Sequence, residues 1–284
     1  MKIRFIIPIL LLIVIVSCTN TQPQKTSPEE HALRIVSLVP SFTNEIVELG
    51  LKDNIVGATS YCEISKENKD LIVGSVVDIN EEKIMLLKPD VVFASTLVKE
   101  ESIKILKNNG INVKYLGKME SFDDLCSQFL ELSQILHKED FAKNYINKAK
   151  NRLDSLMNLV PSIENKPTVC FQLGANPIAI VIPNTFMNDF ISLANAINVF
   201  CDLDKIIVNR EAVLLRNPDY IIISSMGNIG EQEKLEWEKY TELKAVKNKH
   251  IFIVESASTP TIHNFVNNFE DIVQRMYFNS VAGE

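Results

Sequence analysis

The chain has 284 residues, 46% of them hydrophobic and 23% charged, enough apolar side chain for one large or two ordinary globular domains. A formal net charge of −7, with no Lys/Arg run interleaved with aromatics, excludes the phosphate-neutralising surface that nucleic-acid binding needs. Nine glycines and no GxSxG, HExxH or glycine-rich phosphate loop leave neither a nucleotide site nor a recognisable nucleophile, so no enzyme is read here.

Lys2 and Arg4 precede an apolar run from Phe5 to Val16, too short for a spanning helix and of the form of a secretory signal. The run ends Ile15-Val16-Ser17-Cys18, which resembles a bacterial lipobox and so implies cleavage before Cys18 and lipid on that residue. Residues 19–30, TNTQPQKTSPEE, are polar, carry two prolines and have no apolar face, as a tether would. Of the remaining cysteines, Cys126 shares a helical stripe with Leu125, Phe129 and Leu130 and reads as core; a bridge between Cys170 and Cys201 stays open.

Arg34 to Leu38 predicts a strand, followed by a helix from Pro40 that Gly50 ends and that Ser41 or Thr43 can cap. A strand over Ile55–Ala58 leads to the turn Thr59-Ser60-Tyr61-Cys62-Glu63, at the strand end where open α/β sheets hold ligands. Then come a helix over 80–87, a strand over 91–94, a helix over 100–109 stopped by Gly110, a strand over 113–116 and a helix capped by Ser121.

Residues 139–160 form the longest pattern, with Phe141, Tyr145, Ile146, Ala149, Leu153, Leu156, Met157 and Val160 at helical spacing and no internal Gly or Pro. At about 1.5 Å per residue this is a rod on the order of 33 Å long. Beyond it, strands over 168–173 and 179–182 flank a turn at Gly174–Pro177. A helix from Asn184 or Thr185 to Ala194, a helix over 209–216, strands over 220–224 and 251–254 and a helix over 261–277 follow. The alternation predicts two α/β lobes with parallel sheets, joined by one long rigid helix. The expected division is signal peptide 1–17, lipidated tether 18–32, first lobe 33–138, linking helix 139–160 and second lobe 161–284.

One internal repeat stands out. The segment from Glu82 to Ser95 aligns without gaps to that from Glu211 to Ser224, at a constant offset of 129, with Glu, Leu, Pro, Asp and Ser coinciding. Each copy reads as helix, Pro-Asp break and buried strand. A carboxylate in a first helical turn is favoured by the backbone dipole by about 0.3–1 kcal/mol, which alone would account for Glu82 and Glu211. The second reading is that two related elements each present one acid to a partner that is itself two-fold symmetric.

Together, RIVSLVPSFTNEIVELGLKDNIVGATSYCE over 34–63, the repeats, the rod, the Trp237 segment leading to AVKNKHIFIV and the closing TPTIHNFVNNFEDI resemble the helical-backbone (class III) periplasmic substrate-binding proteins of ABC importers for cobalamin, ferric siderophores and haem. The resemblance implies a binding protein that delivers to a permease dimer with its ATPase subunits. Glu82 and Glu211 fall where the family places its docking acids. By position, the ligand-contacting residues would be Pro40, Ser41, Phe42, Tyr61, Cys62, Thr96 and Leu97 on the first lobe. On the second they would be Gln172, Asn176, Ile178, Thr259 and His263.

The resemblance further implies a monomer in the cell envelope, on the periplasmic side of a membrane or on the outer face of the cytoplasmic membrane if there is one membrane. No cofactor of its own and no resident metal are expected; the transported ligand would contain cobalt or iron. A corrinoid is the leading expectation, and haem, a ferric siderophore or a sensor role without transport are the alternatives. The haem alternative leans on Tyr61 and His263, side chains that suit iron. Trp237, between Glu236 and Glu238, is expected to pack on the lobe surface.

Overall fold

The computed structural model describes residues 32–117, 119–225, 229–255 and 257–278. The signal segment, Cys18 and the tether up to residue 31 lie outside the described residues.

The first lobe is an all-parallel sheet of order β2-β1-β3-β4, formed by β1 (Ile35–Ser37), β2 (Ile55–Ala58), β3 (Val91–Phe93) and β4 (Val113–Lys114). Every residue of β1 and β3 is buried, as strands covered on both faces require. The crossovers run through α1 (Pro40–Glu48), α2 (Glu63–Glu67), α3 (Glu81–Leu86) and α4 (Glu100–Asn108). Pro40 opens α1 at a position where its missing N–H is no loss. The expected Ser41 or Thr43 cap is not made: Val39 holds the cap position, and Thr43 Oγ1 turns inward, 2.8 Å from Ser37 Oγ and 3.1 Å from the Val39 carbonyl.

Two long helices follow, α5 (Phe122–Ile135) and α6 (Glu139–Met157). Ser121 Oγ caps α5 by accepting from the Asp124 amide at 3.1 Å, as expected. The linking helix α6 is three residues shorter than the pattern predicts, about 28 Å long. Pro161 disfavours helical geometry at Val160, and the chain instead tightens through Leu159 to Leu156 and Val160 to Met157 hydrogen bonds.

The second lobe contains β5 (Thr168–Ala175), β6 (Ile178–Ile180), α7 (Phe186–Leu193), β7 (Ile197–Asn198), β8 (Ile207–Val208), α8 (Arg210–Arg216), β9 (Tyr220–Ser225), α9 (Ile229–Glu238), α10 (Lys244–Lys247), β10 (Ile251–Glu255) and α11 (Ile262–Val273). Its sheet runs β10-β9-β5-β6-β8, with β7 also beside β5. The β10-β9-β5-β7 portion is parallel, whereas β6 is antiparallel to both β5 and β8. The expected turn at Gly174–Pro177 shrinks to its last two residues, because Gly174 and Ala175 remain paired with Ala179 and Ile178. After Val273, α11 passes into a π-type turn over Gln274–Phe278.

The rod does not join the lobes alone. One apolar core runs from β1 and β3 through α5 and α6 to β5, α7 and α11. Phe265 on α11 packs on Phe122 of α5 and Phe190 of α7 at ring-centroid distances of 4.8 and 4.4 Å. The Phe122 amide donates to Asp189 Oδ2 at 2.9 Å, and Arg152 on α6 bonds Asn267 and Glu270 on α11. The four described cysteines are free, Cys170 buried and Cys201 exposed, so the open question of their bridge resolves against it. Among the described residues no helix is long and apolar enough to cross a membrane.

Candidate functional site

The parallel register brings the loops after β1, β2 and β3 to one edge of the first sheet, since Ser37 pairs with both Ala58 and Phe93. Beneath that edge a buried cluster ties the loops together. Thr43 Oγ1 stands 3.1 Å from Cys62 Sγ, Thr59 Oγ1 stands 3.3 Å from it, and Thr43 also reaches Ser37. Phe42 and Cys62, expected on the ligand wall, therefore belong to the core: Phe42 packs edge-on against Phe93, and Cys62 is fully buried. Ser41 is also buried, and Pro40 half-buried. Tyr61, Thr96 and Leu97 project into solvent and form the accessible part of this wall.

The second-lobe edge holds a cavity of about 720 Å³, lined by Leu173 to Asn176, Ser224, Ser258 and the α9 residues Gln232, Glu233 and Glu236. Its wall is fixed from behind. Gln172 Nε2 donates to Glu233 Oε1 at 2.9 Å and to the Gly174 carbonyl at 3.0 Å, while its Oε1 accepts from Trp237 Nε1 at 2.6 Å. Arg210 completes the set, donating to Glu233 Oε1 at 2.8 Å and lying 4.3 Å above the Trp237 ring. Gly230 permits this packing: a Cβ there would stand 2.7 Å from Ser225 Cβ, so any side chain would push α9 off the end of β9.

This network corrects two expectations. Trp237 is fully buried rather than laid on the lobe surface, and Gln172 is the strut of the wall with 1% exposure, not an open contact. Asn176 is exposed at the cavity, whereas Ile178 points into the core of the second lobe. Glu233, Gln232 and Glu236 went unread because the run from Glu231 to Glu238 resembles a solvated face. The available signal was a tryptophan four residues after Glu233, one helical turn away on the same side.

A second pocket, of about 330 Å³, lies beside the lobe joint, between α1, α2, α5, α6 and the start of α11. His263 lines it with Asn44, Glu48 and Glu63, so the structure groups His263 with α1 and α2 rather than with Tyr61. Its Nε2 is 2.8 Å from Asn267 Nδ2, one turn further along α11, and Thr259 is half-buried in the preceding turn. In the wall of the pocket Glu45 is buried, with Gln128 Nε2 at 3.4 Å from its carboxyl; burial pushes its pKa up to about 8 despite that bond. Among the described residues no group of three or more His, Cys, Asp and Glu could hold a metal ion.

Glu82 and Glu211 occupy matching places. Asn80 Oδ1 caps α3 by accepting from the Lys83 amide at 2.8 Å, and Asn209 Oδ1 caps α8 by accepting from the Ala212 amide at 2.9 Å. Lys88 and Asn217 end the two helices at φ 45° and 44°. Asp90 accepts from the Arg34 amide at 2.7 Å and Asp219 from the Thr168 amide at 2.9 Å, each pinning the break to the first strand of its lobe. The capping asparagines, the helix-ending residues and the aspartates each keep the offset of 129. Both glutamates are exposed.

The family model "Periplasmic binding protein" matches residues 35–257. The chain belongs to the periplasmic binding protein family. Its relatives include YvrC, an uncharacterized ABC transporter substrate-binding lipoprotein of Bacillus subtilis, 26% identical over 92% of this chain and 85% of the relative. A vitamin B12-binding protein of Yersinia pestis is 28% identical over 70% of this chain and 72% of its own length. Among solved structures, a possible iron-binding periplasmic solute-binding protein of Staphylococcus epidermidis superposes with a TM-score of 0.72 at 27% identity, covering 86% of this chain and 98% of the other.

This chain is thus a binding protein of a family that includes ABC transporter substrate-binding proteins of the cell envelope. Its two strand-end edges differ in kind. One is exposed aromatic and aliphatic side chain over a hydroxyl–thiol base, and the other is polar backbone and amide over an aromatic–ionic base.

Proposed function

We propose that this binding protein captures a corrinoid between the Tyr61, Thr96 and Leu97 loops and the Asn176 cavity, and delivers it to an ABC permease dimer that docks on Glu82 and Glu211. The observation that carries the delivery step is the exposed glutamate presented twice, each on an asparagine-capped helix of the same construction. Support for a corrinoid comes from the relative that binds vitamin B12. In this scheme a lipid on Cys18 holds the chain, as a monomer, at the membrane, and the residues before Cys18 are removed as a signal.

Because α5, α6, α7 and α11 share one core, closure on the ligand is small. Release comes from the permease drawing the lobes apart through its two acidic contacts, with ATP hydrolysis on the partner supplying the energy.

Titration of the mature chain with cyanocobalamin, followed by calorimetry, tests the ligand: binding below micromolar, weakened about tenfold by Tyr61→Ala through lost stacking, is the expected result. A shifted haemin spectrum abolished by Tyr61→Phe would replace the corrinoid by haem, and silence with both would direct the search to ferric siderophores. The docking step predicts that Glu82→Lys with Glu211→Lys abolishes uptake and leaves ligand affinity unchanged.

A further inference from the structure

Leu86 and Leu215 are the most exposed large hydrophobic side chains among the described residues, at 81% and 87%. Isolated exposed leucines are ordinary on protein surfaces. Their placement is not, because their numbers differ by 129, the offset that relates Glu82 to Glu211. Each leucine follows its glutamate by four residues and shares its helix face.

Within Glu82–Ser95 and Glu211–Ser224 five residue identities link the two copies, and the fold accounts for most of them. Pro89 and Pro218 are buried, and Asp90 and Asp219 accept the amides that open β1 and β5. Ser95, two residues past β3, and Ser224, the last but one residue of β9, are half-buried. Glu and Leu remain, exposed in both copies, and neither glutamate has an ion-pair partner among the described residues. Other matched positions obey the fold: Ile84 and Val213 between them are buried in both.

We infer that Leu86 and Leu215 are apolar docking knobs. With Glu82 and Glu211 they form two copies of one acid-plus-leucine patch, and the occupant is a membrane permease dimer that offers, twice, a cationic group beside an apolar recess. Like patches on one chain match a partner that repeats its own surface. The acids supply charge complementarity, but an exposed ion pair screened by salt strengthens binding only a few-fold. Burying a leucine is worth about tenfold or more, and it demands a shaped recess, which fixes register. The inference rests on the docking reading of Glu82 and Glu211 given above.

The test is the affinity of the full mature chain for the nanodisc-embedded permease–ATPase complex of its own cell, with thermal melts to confirm folding. Leu86→Ser and Leu215→Ser are each expected to weaken binding about tenfold and together about a hundredfold, with the loss persisting at high salt. Leu159→Ser, an exposed leucine outside the repeat, should stay within about twofold. Parent-like binding by the double leucine variant, while Glu82→Lys with Glu211→Lys loses binding, would overturn the leucine assignment and leave docking in place. Parent-like binding by both pairs of variants would overturn the docking reading as well.

Discussion

The α3–β3 and α8–β9 units are one design built twice, whereas the two strand-end walls share nothing beyond their place in the sheet. In the repeated units the caps, the left-handed helix ends, the aspartates that tie to the first strand and the outward Glu and Leu all coincide. In the walls, a base of Ser37, Thr43, Thr59 and Cys62 on one side stands against Gln172, Arg210, Glu233 and Trp237 on the other. A surface that meets a two-fold partner gains from being duplicated. One that grips a single ligand without that symmetry gains from divergence, and the contrast between units and walls follows that rule.

The contrast is tested most severely at the second wall. Arg210→Met leaves Glu233 buried without its cation and is expected to cost about 3–5 kcal/mol in urea denaturation at pH 7. Arg210→Met combined with Glu233→Met should recover most of that loss. At the first wall, Thr43→Val removes a neutral hydroxyl shared by Ser37, the Val39 carbonyl and Cys62 and is expected to cost about 1–2 kcal/mol. Equal losses at the two sites would mean that the bases differ in chemistry but not in strength.

The lobe joint, which belongs to neither class, gives an intermediate effect through Glu45. Its folded pKa of about 8 lies above the ordinary carboxylate value of 4.5. The folded state therefore holds a proton that the unfolded chain releases, and stability falls as pH rises from about 4.5 to about 8, then levels off. Gln128 and Cys126 face it from α5, Tyr145 from α6 and Glu48 from its own helix, and Lys52, Glu63, Glu67 and His263 line the same pocket. Glu45→Gln keeps the amide contact without the charge. It should raise stability at pH 8 by roughly 2–4 kcal/mol and flatten the profile below that pH; an unchanged profile in the variant would show that another group sets it.

Much of this was legible in the sequence because it rests on local signals. Strand and helix periodicity, Ser121 as a cap, Gly50 and Gly110 as stops and the offset of 129 are properties of short segments, and the two-lobe architecture follows from their order. The walls were not legible for the opposite reason. Phe42, Cys62 and Gln172 sit at strand ends where ligands are expected, yet whether such a side chain faces out or in depends on partners 19 to 65 residues away, such as Thr43 for Cys62 and Trp237 for Gln172. The end of α6 could have been read, since Pro161 stands directly after the last apolar residue of the pattern.

The smallest effect sharpens the comparison most, because it asks whether the two repeated units are equal in energy as well as in form. Asn80 and Asn209 make the same bond, 2.8 and 2.9 Å long, to the amide three residues on. Each precedes a short helix with a buried residue one position beyond that glutamate's neighbour, Ile84 in one and Val213 in the other. Asn80→Ala and Asn209→Ala should therefore each cost about 1 kcal/mol, the usual worth of such a cap. The two sites share no partner, so the double variant should lose the sum. An excess at Asn209 would be informative: Arg210, the next residue, is bound to Glu233, so fraying of α8 would loosen the second wall. A larger loss there, accompanied by weaker ligand binding, would show that the end of α8 which carries Glu211 and the Asn176 cavity are mechanically linked.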